Sequence, residues 1–152
     1  MNDTPKLLKI DKIEWLKQIP LFQWIPEEYL VTISEFLHLL ILEAETMVTE
    51  KDRMNTKLFM LIDGRCQIGL ENEYGILQKG EYWGVFELLT PQPSQYTISC
   101  LEKCTILYLE SDDFYRFLQD NEKPLQDVMF YLGETLRRLE NEAGVSFEKK
   151  IL

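Results

Sequence analysis

The sequence predicts an α+β fold in which a small antiparallel β-barrel, or jelly roll, is flanked by helices at both ends. Apolar residues recur at helical spacing in the first 38 residues and again after residue 111. Between them, short apolar runs alternate with turn residues at regular intervals. We therefore expect one domain over residues 1–152, with helices over 10–38, a barrel over 39–110 and C-terminal helices over 111–142.

Two helices are predicted before the barrel. Ile10, Ile13 and Leu16 fall on one helical face, and this helix is expected to end in a turn at Pro20. Pro26 followed by two glutamates favours a second helix of about three turns. The apolar stripe of that second helix comprises Leu30, Ile33, Phe36 and Leu37.

Beyond residue 38 the pattern is typical of strands. The predicted strands cover residues 39–48, 58–62, 66–70, 76–77, 98–101 and 105–109. Asp63-Gly64 is a two-residue turn signal, so the strands on either side of it are predicted to form a hairpin. Residues 50–55 and 71–75 are polar and are predicted to be turns.

Two further helices are predicted after the barrel. Ser111 precedes Asp112 and Asp113, and a serine oxygen in that position accepts from free N–H groups at a helix start. Pro124 begins the second helix, whose apolar residues step by four, three, four and three. These residues, here called the apolar seam, are Leu125, Met129, Leu132, Leu136 and Leu139. Such a seam suits either a partner helix or the chain's own barrel.

The charge of the chain limits its partners. A formal net charge of −10 argues against binding to nucleic acid or to an anionic membrane surface.

No run approaches 18 apolar residues, and residues 1–12 lack the apolar core of a signal peptide. We therefore expect a soluble, cytoplasmic protein.

Catalytic and metal sites are not expected. The only histidine, His38, falls at the end of the second predicted helix beside three leucines, which favours a partly buried structural role. A cupin-like metal site needs two or three histidines, so it is excluded. Cys66, Cys100 and Cys104 have no zinc-like spacing and are expected to be reduced core thiols. No catalytic residue, metal or cofactor is therefore predicted.

The stretch from residue 80 to residue 97 is rich in glycine and proline and contains no Lys or Arg. Together with residues 19–22, 58–66 and 107–109, it gives the chain an order that resembles the cyclic nucleotide-binding domain family. The resemblance implies a barrel with flanking helices and a pocket for a cyclic nucleotide.

The family's phosphate-binding cassette resembles residues 84–97 at the same length of fourteen positions. Its glycine, leucine pair, proline and threonine are kept. The family glutamate that accepts from the ribose hydroxyl falls on Val85, and the arginine that pairs with the phosphate falls on Ser94. Glu87 and Tyr96 replace small residues. The predicted pocket positions are Gly84, Val85, Phe86, Glu87, Leu88, Ser94, Gln95, Tyr96 and Thr97.

These departures favour a regulatory or interaction module that has lost ordinary cAMP binding. The cassette then acts as a short helix and loop that closes the barrel, with Phe86, Leu88 and Leu89 in the core. The alternative is a sensor for cAMP, cGMP or another nucleotide through a non-standard pocket. Many bacterial relatives carry a DNA-binding domain after the long helix, and residues 141–152 are too few for one. The expected partner is a protein, either a second copy or another chain, that binds the apolar seam.

Overall fold

A computed structural model describes residues 9–143, and describes side chains from residue 11 onward. The side chain of Ile10 and both ends of the predicted domain, residues 1–8 and 144–152, lie outside the described residues. The helices are α1 (Lys9–Lys17), α2 (Glu27–Ser34), α3 (Val85–Leu89), α4 (Ser111–Asp120) and α5 (Glu122–Ala143), with a 3₁₀ turn at Pro20–Phe22. None of these helices is long and apolar enough to cross a bilayer.

The strands form two four-stranded antiparallel sheets that pack face to face. The strands are β1 (His38–Leu42), β2 (Met47–Thr49), β3 (Met54–Asn55), β4 (Lys57–Asp63), β5 (Cys66–Leu70), β6 (Glu73–Leu77), β7 (Tyr82–Trp83), β8 (Gln92–Pro93), β9 (Thr97–Cys100) and β10 (Cys104–Glu110). The first sheet has the order β1-β10-β4-β7 and the second has the order β2-β9-β5-β6. The short strands β3 and β8 pair separately. The predicted α+β jelly roll with flanking helices is confirmed.

The hydrophobic core has two layers, and alternate side chains of strand β4 belong to one layer or the other. Leu58 and Met60 belong to the core between the first sheet and the helices, whereas Phe59 and Leu61 belong to the core between the two sheets. Successive side chains of a strand point to opposite faces, so a strand covered on both faces needs an unbroken apolar run. The helices therefore cover the outer face of the first sheet, and the second sheet covers its inner face.

The predicted hairpin at Asp63-Gly64 is wrong. β4 pairs with β10 and β7, whereas β5 pairs with β6 and β9, so the turn carries the chain from one sheet to the other. Gly64 adopts a φ of 95° there, and a Cβ would lie 2.6 Å from the carbonyl oxygen of Lys103. The hairpin is instead formed by β5 and β6, in which Leu70 faces Glu73. Residues 73–75 are consequently strand rather than turn.

Two predictions near residue 38 also need correction. The second helix ends at Ser34, so it is shorter than expected, and His38 is the exposed first residue of β1. The run over residues 39–48 is two strands, because Glu45 adopts a left-handed φ of 70° between them. The N–H of Glu45 donates to the carbonyl oxygen of Cys100 at 2.7 Å, which holds the chain at this break.

The start of α4 differs from the expected cap. Glu110 occupies the N-cap position, and Ser111 is the first helical residue. The Ser111 hydroxyl is buried and donates to the carbonyl oxygen of Leu88 in α3 at 2.8 Å. The serine therefore connects two helices instead of capping its own.

The apolar seam of α5 faces outward for most of its length. Leu125, Met129, Leu136 and Leu139 are between 40% and 62% exposed, and Leu132 alone is half-buried against the helical core. The buried face of α5 consists of Pro124, Asp127 and Val128. Four of the five seam residues therefore do not pack against the chain's own barrel.

Candidate functional site

Gly84 sets the start of α3, the first part of the cassette. It adopts a φ of 96°, and a Cβ at this position would lie 2.1 Å from the carbonyl oxygen of Lys57. The same oxygen accepts a 3.0 Å hydrogen bond from the Asn55 side chain, so the backbone at Lys57 is held in place. Only glycine fits such an approach without displacing β4. The glycine retained from the family pattern is thus required by packing alone.

A cavity of about 470 Å³ lies beside α3. Small-molecule sites usually measure about 300–1,000 Å³, so this cavity suits a ligand of nucleotide size. Its lining residues are Ile68, Leu77, Tyr82, Trp83, Gly84, Val85, Phe86, Glu87, Gln92, Gln95 and Tyr96. Glu87 is the one acidic residue among them, and no Lys or Arg in the described part of the chain lines the cavity.

The Ser94 side chain forms its hydrogen bonds within the cassette loop. It is 3% exposed and is not among the residues that line the cavity. Its hydroxyl donates to the carbonyl oxygen of Tyr96 at 2.9 Å and accepts from the Tyr96 N–H at 3.2 Å. The position that would carry the family's phosphate-binding arginine therefore closes a local turn. Val85, at the other altered position, is half-buried and lines the cavity without offering an acceptor.

Of the three residues of α3 that were expected in the core, the structure buries one, partly buries another and exposes the third. Leu88 is fully buried in the helical core, as predicted, and Leu89 is half-buried against it. Phe86 is 76% exposed, so its prediction as a core residue is wrong. The five-residue helix buries one face only, and that face is occupied by Glu87 and Leu88. Phe86 instead lies at the cavity's edge.

Glu87 is the acidic member of the site and one of the predicted pocket positions. It is 8% exposed and makes no hydrogen bond or ion pair within residues 11–143. Transferring an ionised carboxylate from water to a poorly solvated site without a partner is unfavourable. A phosphate placed in the same cavity would add a second negative charge close by.

Trp83 forms the inner end of the cavity. Its ring stacks on Phe59 with the centroids 5.1 Å apart, and its indole N–H donates to the Thr49 hydroxyl at 3.1 Å. Thr49 belongs to the second sheet and Phe59 to the first, so Trp83 fixes the spacing of the sheets at this point. Trp83 lines the cavity although it is not among the predicted pocket positions.

The remaining predicted pocket positions lie at the loop that follows. Gln95 is exposed and Tyr96 is half-buried, and both line the cavity. The hydroxyl of Thr97 accepts from the backbone N–H of Lys51 at 3.2 Å, so it ties the end of the cassette to a neighbouring turn.

A second cavity of about 480 Å³ opens between β1, β2 and β4. Arg53 and Lys57 line it, but Arg53 pairs with Glu50 at 3.1 Å and Lys57 pairs with Glu110 at 3.0 Å. Its cations are therefore neutralised by adjacent carboxylates. His38 lines neither cavity and stacks on Tyr108, with the ring centroids 4.8 Å apart.

Two packed sheets, flanking helices and a short helix beside a nucleotide-sized cavity define a β-sandwich module with helices at both ends. Residues 40–121 match the family model described as "Cyclic nucleotide-binding domain", which is just over half of the chain. The chain belongs to the cyclic nucleotide-binding domain family.

Individual relatives agree with this assignment. The chain is 25% identical over 96 residues to a cyclic nucleotide-gated potassium channel of Rhizobium etli, which covers 63% of this chain and 27% of the channel. The chain thus spans about a quarter of the length of that relative.

Solved structures show the same fold. The N-terminal domain of a transcriptional regulator from Streptomyces coelicolor has a TM-score of 0.76 at 18% identity, covering 88% of this chain and 96% of that one. The cAMP-bound PfPKA-R structure has a TM-score of 0.64 at 21% identity, covering 91% of this chain and 48% of that one. A cyclic nucleotide-binding-like protein from Brucella abortus has a TM-score of 0.66 at 15% identity, covering 72% and 98% respectively.

Proposed function

We propose that this chain is a regulatory module of the cyclic nucleotide-binding domain family that has lost ordinary binding of cAMP and cGMP and acts through protein contact. The single observation that carries the proposal is the charge of the cassette cavity. Its described lining contains Glu87 and no cation, and Ser94 is turned into its own loop. Domains of this family are typically regulatory rather than catalytic. The chain's one histidine, the usual residue for acid–base catalysis, lies outside both cavities.

The free energy of the missing arginine–phosphate interaction is large enough to account for a loss of cyclic nucleotide binding. Removing one partner of a buried, hydrogen-bonded charge pair costs roughly 2–5 kcal/mol, which is about thirty- to several-thousand-fold in affinity. A micromolar site without its arginine would bind in the millimolar range. Val85 also leaves the ribose hydroxyl without its acceptor, and Glu87 adds repulsion.

The proposed partner is a second copy of this chain, bound through the apolar seam. A four-three-four-three spacing on an exposed helix allows the same surface to pack against itself across a two-fold axis. Leu125, Met129, Leu136 and Leu139 supply that exposed surface. We place the protein in the reducing cytoplasm, where its three buried free thiols would stay reduced.

Isothermal titration calorimetry with cAMP and with cGMP tests the loss of binding. We expect no saturable heat below millimolar ligand concentration. A cyclic nucleotide-binding domain that keeps its cassette arginine serves as the positive control under the same conditions. A micromolar dissociation constant for either nucleotide would overturn the proposal.

A second candidate function is a sensor that uses the cavity for a different ligand. It is favoured by the unpaired carboxylate of Glu87 beside four lining aromatic residues, Tyr82, Trp83, Phe86 and Tyr96. Aromatic rings bind flat bases and cations, and a carboxylate favours a ligand with positive or no net charge. A nucleotide-like ligand whose phosphate is absent or neutralised would therefore bind better than cAMP. Titration with adenosine and cAMP in parallel distinguishes the candidates, because this sensor must bind adenosine more tightly.

A further inference from the structure

The three cysteines of the chain meet inside the sandwich, although they belong to three different strands. Cys66 lies on β5, Cys100 on β9 and Cys104 on β10, and their Sγ atoms all lie within 4.8 Å of one another. Cys66 and Cys100 face each other across neighbouring strands, and the sulfurs of Cys66 and Cys104 are 3.8 Å apart. All three are free thiols and are at most 2% exposed.

The cluster lies directly beneath the surface. The thiol of Cys104 lies 3.3 Å from the carbonyl oxygen of Arg65 and 3.3 Å from that of Glu102, and both of these residues are exposed turn residues. Gly64 allows the first turn to approach closely, since a Cβ there would lie 2.8 Å from the Cys104 sulfur. A small opening of two turns, rather than unfolding of the sheets, would admit an ion.

The spacing of the sulfurs suits three bonds to one metal ion. Metal–thiolate bonds are about 2.3 Å long for zinc, so three sulfurs around one ion lie about 3.8 Å apart in tetrahedral geometry and about 4.0 Å apart in a plane. The observed spacing needs only small side-chain movements to reach those values. We propose that Cys66, Cys100 and Cys104 form a binding site for one soft, thiophilic metal ion, with Cu⁺ as the best match.

Ligand chemistry selects this class of ion. Thiolates prefer soft ions such as Cu⁺ over the hard ions that oxygen ligands hold. The surroundings are apolar, comprising Phe59, Leu61, Trp83, Ile98 and Ile106, so a net charge in the cluster would be unfavourable. Three metal–thiolate bonds require that all three thiol protons leave to solvent, so the site carries a net charge of −2 with Cu⁺ and −1 with a divalent ion. No oxidant is required, and the metal–sulfur bonds must offset the cost of burying that charge.

Cadmium is the practical probe, because Cd²⁺ is stable in air and its bonds to thiolates absorb in the ultraviolet. The reduced protein is titrated with Cd²⁺ and the charge-transfer band is followed. We expect saturation at one ion per chain and a rise in the thermal midpoint, since binding to the folded state stabilises it. Under anaerobic conditions, Cu⁺ is expected to displace the bound Cd²⁺, which is measured as Cd²⁺ released into solution.

Cys66→Ala, Cys100→Ala and Cys104→Ala are the test variants, because alanine keeps each position small and apolar. Each is expected to lower the Cd²⁺ affinity by at least about tenfold, the lower end of what outer-shell changes cost at metal sites. Ile98→Val is the matched control, since it removes a methylene from the same core without removing sulfur. The Cd²⁺ charge-transfer band of Ile98→Val should match that of the parent in intensity and in saturation at one ion per chain.

Two results would overturn the proposal. One is a folded parent, verified by circular dichroism, that develops no charge-transfer band at a severalfold excess of Cd²⁺. The other is a band that persists at parental strength and parental Cd²⁺ affinity in all three alanine variants, which would show that the three sulfurs do not form one common site. A cysteine variant that fails to fold is replaced by the corresponding serine variant, which retains the volume and weakens soft-metal binding.

Discussion

The hydroxyl of Ser111 donates a 2.8 Å hydrogen bond to the carbonyl oxygen of Leu88, so the first turn of α4 is joined to the cassette helix α3. Both residues are buried, at 1% and 0% exposure. The hydroxyl of Tyr115, one turn further along α4, also donates to α3, at the carbonyl oxygen of Leu89. The cassette helix α3 is thereby bonded directly to the first of the C-terminal helices.

We predict that Ser111→Ala lowers the free energy of unfolding by about 1–3 kcal/mol, because the Leu88 carbonyl then loses a buried partner. Urea denaturation of parent and variant measures the difference. Ser99→Ala is the control, since Ser99 is a half-buried serine of β9 whose hydroxyl makes no hydrogen bond within the described residues. Equal effects of the two substitutions would show that the bond to Leu88 contributes nothing specific.

Restoring the family's charges should restore cyclic nucleotide binding. In the triple variant Val85→Glu, Glu87→Ala, Ser94→Arg, we expect the affinity for cAMP to rise by at least about thirtyfold, because the phosphate regains a cation and the ribose an acceptor. Calorimetry measures the gain. The same variant with Ser94→Gln places a polar but uncharged side chain at this position and should show no such rise. If the triple variant folds but shows no calorimetric binding of cAMP, loop geometry rather than the missing charge prevents binding.

Much of the fold could be predicted because the relevant signals are local. The apolar run in β4 indicates a strand buried on both faces, and Gly84 marks a close approach that a side chain would block. The cassette frame could likewise be recognised, because glycine, proline and paired leucines fix backbone shape within a few residues.

The errors concern partners that are distant in sequence. Nothing near Asp63-Gly64 reveals that the next strand joins the other sheet, and the donor role of Ser111 depends on a carbonyl 23 residues away. Phe86 is exposed because a short helix has one buried face, which in this case accommodates Glu87. Convergence of the three thiols required the register of β5 with β9, which the sequence does not specify.

Glu87 is expected to serve the cavity rather than the fold. Replacing it by Gln removes a negative charge that has no partner in residues 11–143 from a side chain that is 8% exposed, so we predict that the free energy of unfolding rises by up to about 1 kcal/mol. Urea denaturation at neutral pH provides the measurement, with the exposed Glu81→Gln as the matched control. A clear loss of stability in Glu87→Gln would instead assign the carboxylate a structural role.

The thiol cluster should make the fold sensitive to alkaline pH. Burial raises the pKa of the Cys100 thiol from 9.0 to about 11, and burial also raises the pKa of Cys66. The folded state thus favours the neutral thiol, so this stabilisation is complete below the unfolded pKa and is lost as the pH rises from about 9 to about 11.

We therefore predict a steeper loss of stability over that range in the parent than in Cys100→Ala. Urea unfolding curves at several pH values give both slopes, and tyrosine and lysine titrations cancel in the comparison. The Ile98→Val variant should follow the parental slope, because it keeps all three thiols. Parallel curves for the parent and Cys100→Ala would contradict the prediction.

Self-association through α5 is tested by a charge placed in the apolar seam. Leu136 is 60% exposed, so Leu136→Glu should leave the monomer folded while burying a carboxylate in any dimer. Leu132 is a poorer site for this test, since it packs against the helical core and its replacement would also destabilise the monomer. In sedimentation equilibrium at tens of micromolar, we expect the parent to be dimeric and Leu136→Glu to be monomeric. Gln126→Glu, an exposed charge on α5 outside the seam, is expected to remain dimeric, and a parent that is already monomeric would refute the second copy as partner.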